Sequence, residues 1–359
     1  MKSITLPNSV LSIDDCAFYY CDSLSSITLS ESVTSIENYT FKDCRSLTSV
    51  TLPNSVLSIG DYAFMDCISL SSITLLNGVS SISKAAFEGC TKLKAITVST
   101  ENPHYKSVEG VLFNKNGSKL IYYPKGKNGA YYKVPGNVKS IGDSAFMLCK
   151  SLKLITLSDG VESIGKSAFL FCYSLSSINI PNSVKSIGNA AFLFCYSLSS
   201  ITLSNSVTSM GNAVFKDCKS LSSITLSNSI TSIGNSAFSD CKSLSSIILP
   251  NSVLSISDSA FMDCTYLASI TLSNSVTSIG NSAFSKCKSL SSITLPNSVI
   301  SIGSFAFYYC ISMSSITLSN GVSSIGKNAF CECNKLEVIT VSSGNPHYKS
   351  VEGVLFNKN

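Results

Sequence analysis

The sequence predicts a β-rich α/β solenoid of about 13 coils of 23 residues, and three observations predict it. A Phe is followed three residues later by a Cys, then by apolar residues at plus six, nine and eleven. Phe169, Cys172, Leu175, Ile178 and Ile180 make one copy; Phe192, Cys195, Leu198, Ile201 and Leu203 make the next, one period on. A strict period of this size means coils that bury their apolar face only against their neighbours. Each period also carries one polar–apolar alternation, such as Ser200-Ile201-Thr202-Leu203, which is the pattern of a half-buried strand. A turn signal follows that strand in every copy.

Taken in order, Ile201 and Leu203 face the core while Ser200 and Thr202 face out. Asn205, or Pro-Asn in Pro181-Asn182 and Pro296-Asn297, turns the chain off the strand. Val207 with Met210, or Val276 with Ile279, supplies a second short apolar pair. Gly188, Gly211, Gly234 and Gly280 are expected to turn a sharp corner with positive φ. The Ala-Phe-x-x-Cys segment has room for one helical or 3₁₀ turn with Phe and Cys on one side.

The spacing breaks once. Phe87 and Phe146 are 59 residues apart, 36 more than one period. The expected layout is coils one to four over residues 1–98, an insertion over 99–136, coils five to 13 over 137–341 and the start of a second insertion over 342–359. Two apolar runs around Asn116-Gly117 read as a β-hairpin with a type I′ turn, projecting from the stack or widening its sheet without ending it. Thr340 to Asn359 repeats Thr97 to Asn116 at 18 of 20 positions. Solenoids need polar caps, and neither end supplies one, so the chain reads as a fragment of a longer protein.

Composition removes several function classes. Only 13% of residues are charged, and the net charge of +5 forms no basic cluster, so no nucleic-acid partner is expected. No apolar run reaches about 18 residues, so no membrane insertion is expected from this segment. The N-terminus reads directly as repeat, without an h-region. Thirteen of the 15 cysteines hold one repeat position, from Cys21 to Cys333, and are expected as free buried thiols; an odd ladder cannot pair completely. Cys16 and Cys331 lie off it.

Catalytic chemistry is not expected, and neither is a cofactor or metal. His104 and His347 are one position of two insertion copies, in Asn-Pro-His-Tyr, without ligand spacing around them. No Gly-x-Ser-x-Gly elbow, phosphate loop or zinc spacing occurs. Asp43, Asp66, Asp217, Asp240 and Asp263 precede the ladder Cys, but other residues interrupt them, and a solvated coil edge accounts for them. The candidate ligand-binding residues are the outward hydroxyls Ser200, Thr202, Ser223, Thr225, Ser292 and Thr294, in columns broken at Leu154 and Ile248. Five insertion tyrosines join them: Tyr105, Tyr122, Tyr123, Tyr131 and Tyr132.

The run Val276-x-x-Ile279-Gly280-x-x-Ala283-Phe284-x-x-Cys287-x-x-Leu290-x-x-Ile293-x-Leu295-Pro296 resembles the BspA-type leucine-rich repeats of surface proteins from bacteria and mucosal protists. The resemblance covers nearly the whole chain. It implies a right-handed solenoid with its parallel sheet on the concave face. It also implies non-enzymatic adhesion at the cell surface or as a secreted protein, with host or neighbouring-cell surface proteins, extracellular matrix or glycans as partners. The alternative is an intracellular or secreted interaction scaffold, which free thiols would suit.

Overall fold

The computed structural model describes residues 2–83 and 85–358; Asn359, the last residue of the repeated insertion start, lies outside them. They form a β-solenoid of about 15 turns with parallel strands. Two compact units share them, residues 1–130 with 135–151, and residues 131–134 with 152–359. The two turns beyond the expected count have plain origins. Strand Ser3–Thr5 precedes the first Phe, and strand Tyr131–Lys133 lies inside the insertion.

The same arithmetic builds both units. Ser3, Ile4 and Thr5 pair in parallel with Ser26, Ile27 and Thr28, and these with Ser49, Val50 and Thr51. A second column of two-residue strands runs Ser35–Ile36, Ser58–Ile59 and Ser81–Ile82 in one unit. It runs Ser255–Ile256, Ser278–Ile279 and Ser301–Ile302 in the other. With the period fixed, every residue meets its own equivalent one coil away. Phe rings therefore stack on Phe rings, 5.3 Å between centroids for Phe18–Phe41 and Phe41–Phe64, and 5.1 Å for Phe169–Phe192. Such contacts contribute about 0.5–1.5 kcal/mol each beyond the area they bury.

The ladder cysteines do more than fill space. Cys67 Sγ donates to the Phe41 carbonyl of the preceding coil at 3.1 Å, and the Cys44 N–H donates to that same oxygen at 3.1 Å. Cys90, Cys218, Cys264 and Cys310 repeat the bond at 3.0 to 3.2 Å. Each thiol thus uses the second lone pair of a buried carbonyl and clips two coils together. Burial pushes the Cys44, Cys90 and Cys149 thiols up to about 12, which keeps them protonated donors.

The Ala-Phe-x-x-Cys segment is not the expected helical turn. Left-handed residues recur in it every four places, with positive φ two places either side of Phe: Tyr39 at 56° and Asp43 at 58° around Phe41, Ala190 at 55° and Phe194 at 61° around Phe192. Alternate N–H groups consequently point in different directions. Tyr39, Phe41 and Asp43 donate to the Asp61, Ala63 and Met65 carbonyls of the next coil, while Thr40, Lys42 and Cys44 close turns within their own. A helix would have kept all these bonds inside the coil and left neighbours unjoined here. The left-handed non-glycine residues cost about 1 kcal/mol each, which the shared ladder offsets.

The corner glycines are needed for space and not for positive φ. A Cβ on Gly303 would stand 2.5 Å from Asn281 N, and one on Gly326 would stand 2.2 Å from Ser304 N. The adjoining position forms an amide ladder that the sequence reading missed. Asn189 Oδ1 accepts the Asn212 N–H at 2.8 Å, Asn212 accepts from Asn235 at 2.9 Å, Asp258 from Asn281 at 2.7 Å and Asn281 from Ser304 at 2.8 Å. Each side chain satisfies a backbone donor that the tight corner leaves exposed.

The insertion holds two hairpin turns and one further coil. Strands Tyr105–Val108 and Val111–Asn114 are antiparallel around Glu109 (φ 50°) and Gly110 (φ 79°), the two left-handed residues of a type I′ turn. The expected I′ turn at Asn116-Gly117 is instead a tight turn closed by the Gly117 N–H on Asn114 O, with only Gly117 left-handed. Strand Lys119–Tyr122 then lies antiparallel to Val111–Asn114 and parallel to Ser140–Ile141, so the segment rejoins the stack. Tyr123 sits 23 residues before Phe146, stacks on it at 5.1 Å and takes the place of the missing Phe. The Tyr122 hydroxyl donates to Phe87 O at 2.8 Å. Lys125 Nζ is buried there without a hydrogen-bond partner among the described residues, 5.8 Å from the Tyr122 ring, and burial lowers its pKa.

Asn102 explains the Asn-Pro-His-Tyr motif. Fully buried, it donates to Leu76 O at 2.7 Å and Val79 O at 2.9 Å, and accepts the His104 and Tyr105 N–H groups at 2.8 Å. Asn345 makes the equivalent four bonds in the second copy. His104 and His347 are exposed.

Four outcomes are expected from this architecture. Gly303→Ala lowers the urea midpoint by the equivalent of about 1–3 kcal/mol, through overpacking against fixed backbone. Ala190→Gly is neutral or stabilising by up to about 1 kcal/mol, because it relieves a left-handed residue. Asn102→Ala costs about 3 kcal/mol or more by stranding buried backbone groups, whereas His104→Ala leaves the thermal midpoint in place. A maleimide at pH 8 modifies Cys16 and Cys331, which are exposed, within minutes, and then the half-buried Cys21; the twelve buried ladder thiols from Cys44 to Cys333 react only after denaturant is added.

Candidate ligand-binding surface

The outward side of the first strand column is where the sequence placed its hydroxyls, and register decides what they join. Ser200 pairs with Ser223 and Thr202 with Thr225; Ser292 pairs with Ser315 and Thr294 with Thr317. All six predicted hydroxyl residues are exposed. Stacking at the strand spacing of about 4.8 Å sets them in two files. Ile248 interrupts one file with a 73% exposed side chain.

Serines elsewhere on the coil are consumed by the fold. Ser55 Oγ donates to Val33 O at 2.6 Å, Ser183 to Val161 O at 2.6 Å and Ser298 to Val276 O at 2.7 Å, each across one coil. Ser227 and Ser273 do the same from buried sites. The chain therefore carries two serine populations that look alike in sequence. One closes backbone carbonyls; the other stands on the open sheet with its donor and acceptor free for solvent or ligand.

Three shallow depressions follow one another along this surface. The first, about 470 Å³, is bordered by Leu154, Thr156, Ser177, Asn179, Ser200 and Thr202. The second, about 590 Å³, lies among Asn182, Ser204, Asn205, Thr225 and Asn228. The third, about 340 Å³, lies among Ser223, Thr225, Ser246, Ile248 and Pro250. Asn228 donates its N–H to Asn205 Oδ1 at 3.0 Å, so the amides along the rim are held in line. None of the residues bordering the three depressions carries a titratable side chain. The surface offers hydroxyls, amides and exposed aliphatic edges, a chemistry suited to neutral polar partners.

The tyrosines separate. Tyr131 pairs with Leu154, which pairs with Ser177, so it stands 71% exposed in the same file as the hydroxyls. Tyr132 is half-buried and shares the inward register of Ile155 and Ile178. Tyr105 is half-buried, donates to Ser80 O at 3.2 Å, and has its hydroxyl pKa raised by burial. Tyr122 and Tyr123, expected as contact residues, are core side chains only 6% and 2% exposed, and they leave the candidate surface. Sequence could not separate them from Tyr131, because a displaced coil and a projecting loop are written in the same residues.

The aspartates before the ladder Cys have a backbone origin. Asp43, Asp66, Asp217, Asp240 and Asp263 all occupy the left-handed position, at φ between 57° and 60°, which Asp tolerates better than most residues. Asp217 stands 3.9 Å from Lys219, and Asp263 stands 3.8 Å from Lys286. No metal-holding cluster occurs among the described residues. Among the described residues no helix is long and apolar enough to cross a membrane.

Comparison with known proteins agrees with this geometry. A leucine-rich repeat protein from Eubacterium ventriosum is 25% identical and superimposes with a TM-score of 0.63 over 83% of this chain and 80% of its own. One from Bacteroides ovatus is 29% identical, with a TM-score of 0.61 over 94% and 78%. The pneumococcal vaccine antigen PcpA is 28% identical, with a TM-score of 0.58 over 71% and 73%. No match is found among curated proteins. The model of the BspA type leucine rich repeat region matches residues 1–116, 125–245 and 231–358. With nearly every coil accounted for by that pattern, the chain belongs to the BspA-type leucine-rich repeat family.

Proposed function

We propose that this chain is a non-enzymatic recognition solenoid of the cell surface, which holds a neutral protein segment or glycan on the two hydroxyl files between Tyr131 and Thr225. The carrying observation is the division of labour among serines. Coil-closing serines are bonded to carbonyls, whereas Ser200, Thr202, Ser223 and Thr225 remain exposed beside connected depressions. Solvent-exposed hydroxyls exchange water for ligand at little desolvation cost, and Tyr131 adds a large contact area of low entropy cost. Membership of a repeat family of protein-binding surface proteins, and likeness to a pneumococcal antigen, support the surface location. Ser292 and Thr294 extend the same chemistry further along the sheet.

The thiol ladder is compatible with an oxidising exterior. Twelve of its sulfurs, from Cys44 to Cys333, are buried, and burial pushes the Cys44, Cys90 and Cys149 thiols up to about 12, which suppresses at those positions the thiolate that would start disulfide exchange.

The purified chain should bind at least one member of a panel of fibronectin, collagen, laminin and arrayed neutral glycans. Thr202→Arg with Thr225→Arg, or Tyr131→Ala alone, should weaken that binding at least about tenfold, measured by surface plasmon resonance. Substitution of the exposed Lys242 by Glu, away from the depressions, should leave it unchanged. Binding that survives the paired arginines and the tyrosine truncation would remove this surface as the contact site.

A further inference from the structure

The strand column that carries the hydroxyl files is not one continuous ladder. Within residues 131–134 and 152–359 it parts at three places: between Ser177–Asn179 and Ser200–Thr202, between Ser223–Thr225 and Ser246–Ile248, and between Ser269–Thr271 and Ser292–Thr294. Each parting lies two coils from the last. Across intact pairs, Leu203 N–H donates to Thr225 O at 2.9 Å and Leu249 N–H to Thr271 O at 3.0 Å. No equivalent bond crosses a parting among the described residues, so main-chain donors and acceptors there lack their ladder partners.

Two of the depressions sit on these partings. The first is bordered by Ser177, Ile178 and Asn179 on one side and by Ser200, Ile201 and Thr202 on the other. The third is bordered by Ile224 and Thr225 on one side and by Ile247 and Ile248 on the other. Ser204 borders both the first and the second depression, and its buried Oγ has no hydrogen-bond partner among the described residues. Its equivalents Ser227 and Ser273 spend the same hydroxyl on Val207 O and Val253 O, at 2.7 and 2.9 Å. Asn179 is also spent, accepting Leu157 N–H at 2.9 Å and donating to Leu157 O at 3.2 Å. A buried hydroxyl left unpaired is costly until something entering the depression completes it.

The coil step sets what a ligand must repeat. Phe rings advance 5.1 Å from Phe169 to Phe192 and 5.4 Å from Phe192 to Phe215, and strands advance by about 4.8 Å. An extended peptide returns to the same face every ~6.8 Å and falls out of phase within two coils. A polyproline helix returns every ~9.3 Å, near two coils, but brings no N–H donor to bare carbonyls. A β-1,4-linked pyranose chain advances by nearly one coil per sugar, and successive sugars are turned over, so like groups recur every second sugar. That is the interval of the partings. Sugar hydroxyls both donate and accept, and the bordering residues carry no charge that would select a sugar acid.

We propose that a linear, neutral β-1,4-linked glycan lies along the stacking direction of this surface, one sugar per coil. Its hydroxyls complete Ser204 and the parted strands, and its ring faces cover Tyr131 and Ile248, which are 71% and 73% exposed. This inference rests on the hydroxyl-surface reading and names its ligand.

The probes are cellohexaose and chitohexaose, titrated into the full chain by calorimetry beside maltohexaose, whose α-1,4 linkages coil the chain, and a polyproline peptide. Saturable binding of at least one β-1,4 hexamer is expected, at least about tenfold tighter than maltohexaose and than its own disaccharide. Ser204→Ala should weaken it at least about fivefold with the thermal midpoint unchanged or raised, because that hydroxyl bonds nothing in the free protein. Ser227→Ala should lower the midpoint instead, since it strands Val207 O. Ile248→Arg should weaken binding at least about tenfold. Neither hexamer binding up to about 1 mM, maltohexaose or polyproline binding as tightly, or binding unchanged in both Ser204→Ala and Ile248→Arg, overturns the inference. Loss of a matrix-protein ligand in Thr202→Arg with Thr225→Arg, while neither hexamer binds, overturns the ligand class alone. Hexamer binding that survives those paired arginines removes the surface itself.

Discussion

No coil of this protein can satisfy its own backbone, and the rest of the structure follows from that. Most N–H and C=O groups of a 23-residue loop find partners only one coil away, in the two strand columns and in the left-handed turn around each Phe. Buried unpaired backbone groups cost about 1–3 kcal/mol each, so a slip of register by one residue would break three ladders together and turn Ile outward. The fixed period is the sequence's answer to that demand. It sets Phe on Phe, Cys beside the preceding Phe carbonyl and Asn under the next coil's N–H.

The same constraint explains residues that look functional and are not. Aspartates at the left-handed position resemble a cation ladder, and histidines in Asn-Pro-His-Tyr resemble a ligand pair. Both sit beside backbone features that fix them: positive φ for Asp240, and the four bonds of buried Asn102 for His104. What remains after these demands are met is small. The outward hydroxyls with Tyr131 are the places where side chains have bonding capacity the fold does not use.

Legibility in sequence follows the range of the interaction. Alternation in Ser200-Ile201-Thr202 gave the strand and its outward face, since strand geometry is local. Spacing cannot report handedness, so the Phe-x-x-Cys turn reads in sequence as helix, and Gly188 reads as a conformational device although its constraint is a neighbour at 2.6 Å. The insertion was the hardest part. Tyr123 replaces Phe and no Cys follows, so the extra coil fell below the pattern, although its ring stacks on Phe146 as a Phe would.

By itself the sequence determined the period, the composition of each column and which strand face is polar, because a repeat that contacts only its equivalents writes those contacts as identity at a fixed offset. Tertiary structure decided everything that depends on what lies one coil away. It separated serines that bind carbonyls from serines that face solvent, and sent Tyr122 and Tyr123 into the core while leaving Tyr131 outside. The physical reason is that burial belongs to a pair of surfaces and not to a residue, so residues that read alike in sequence acquire different roles when their neighbours differ.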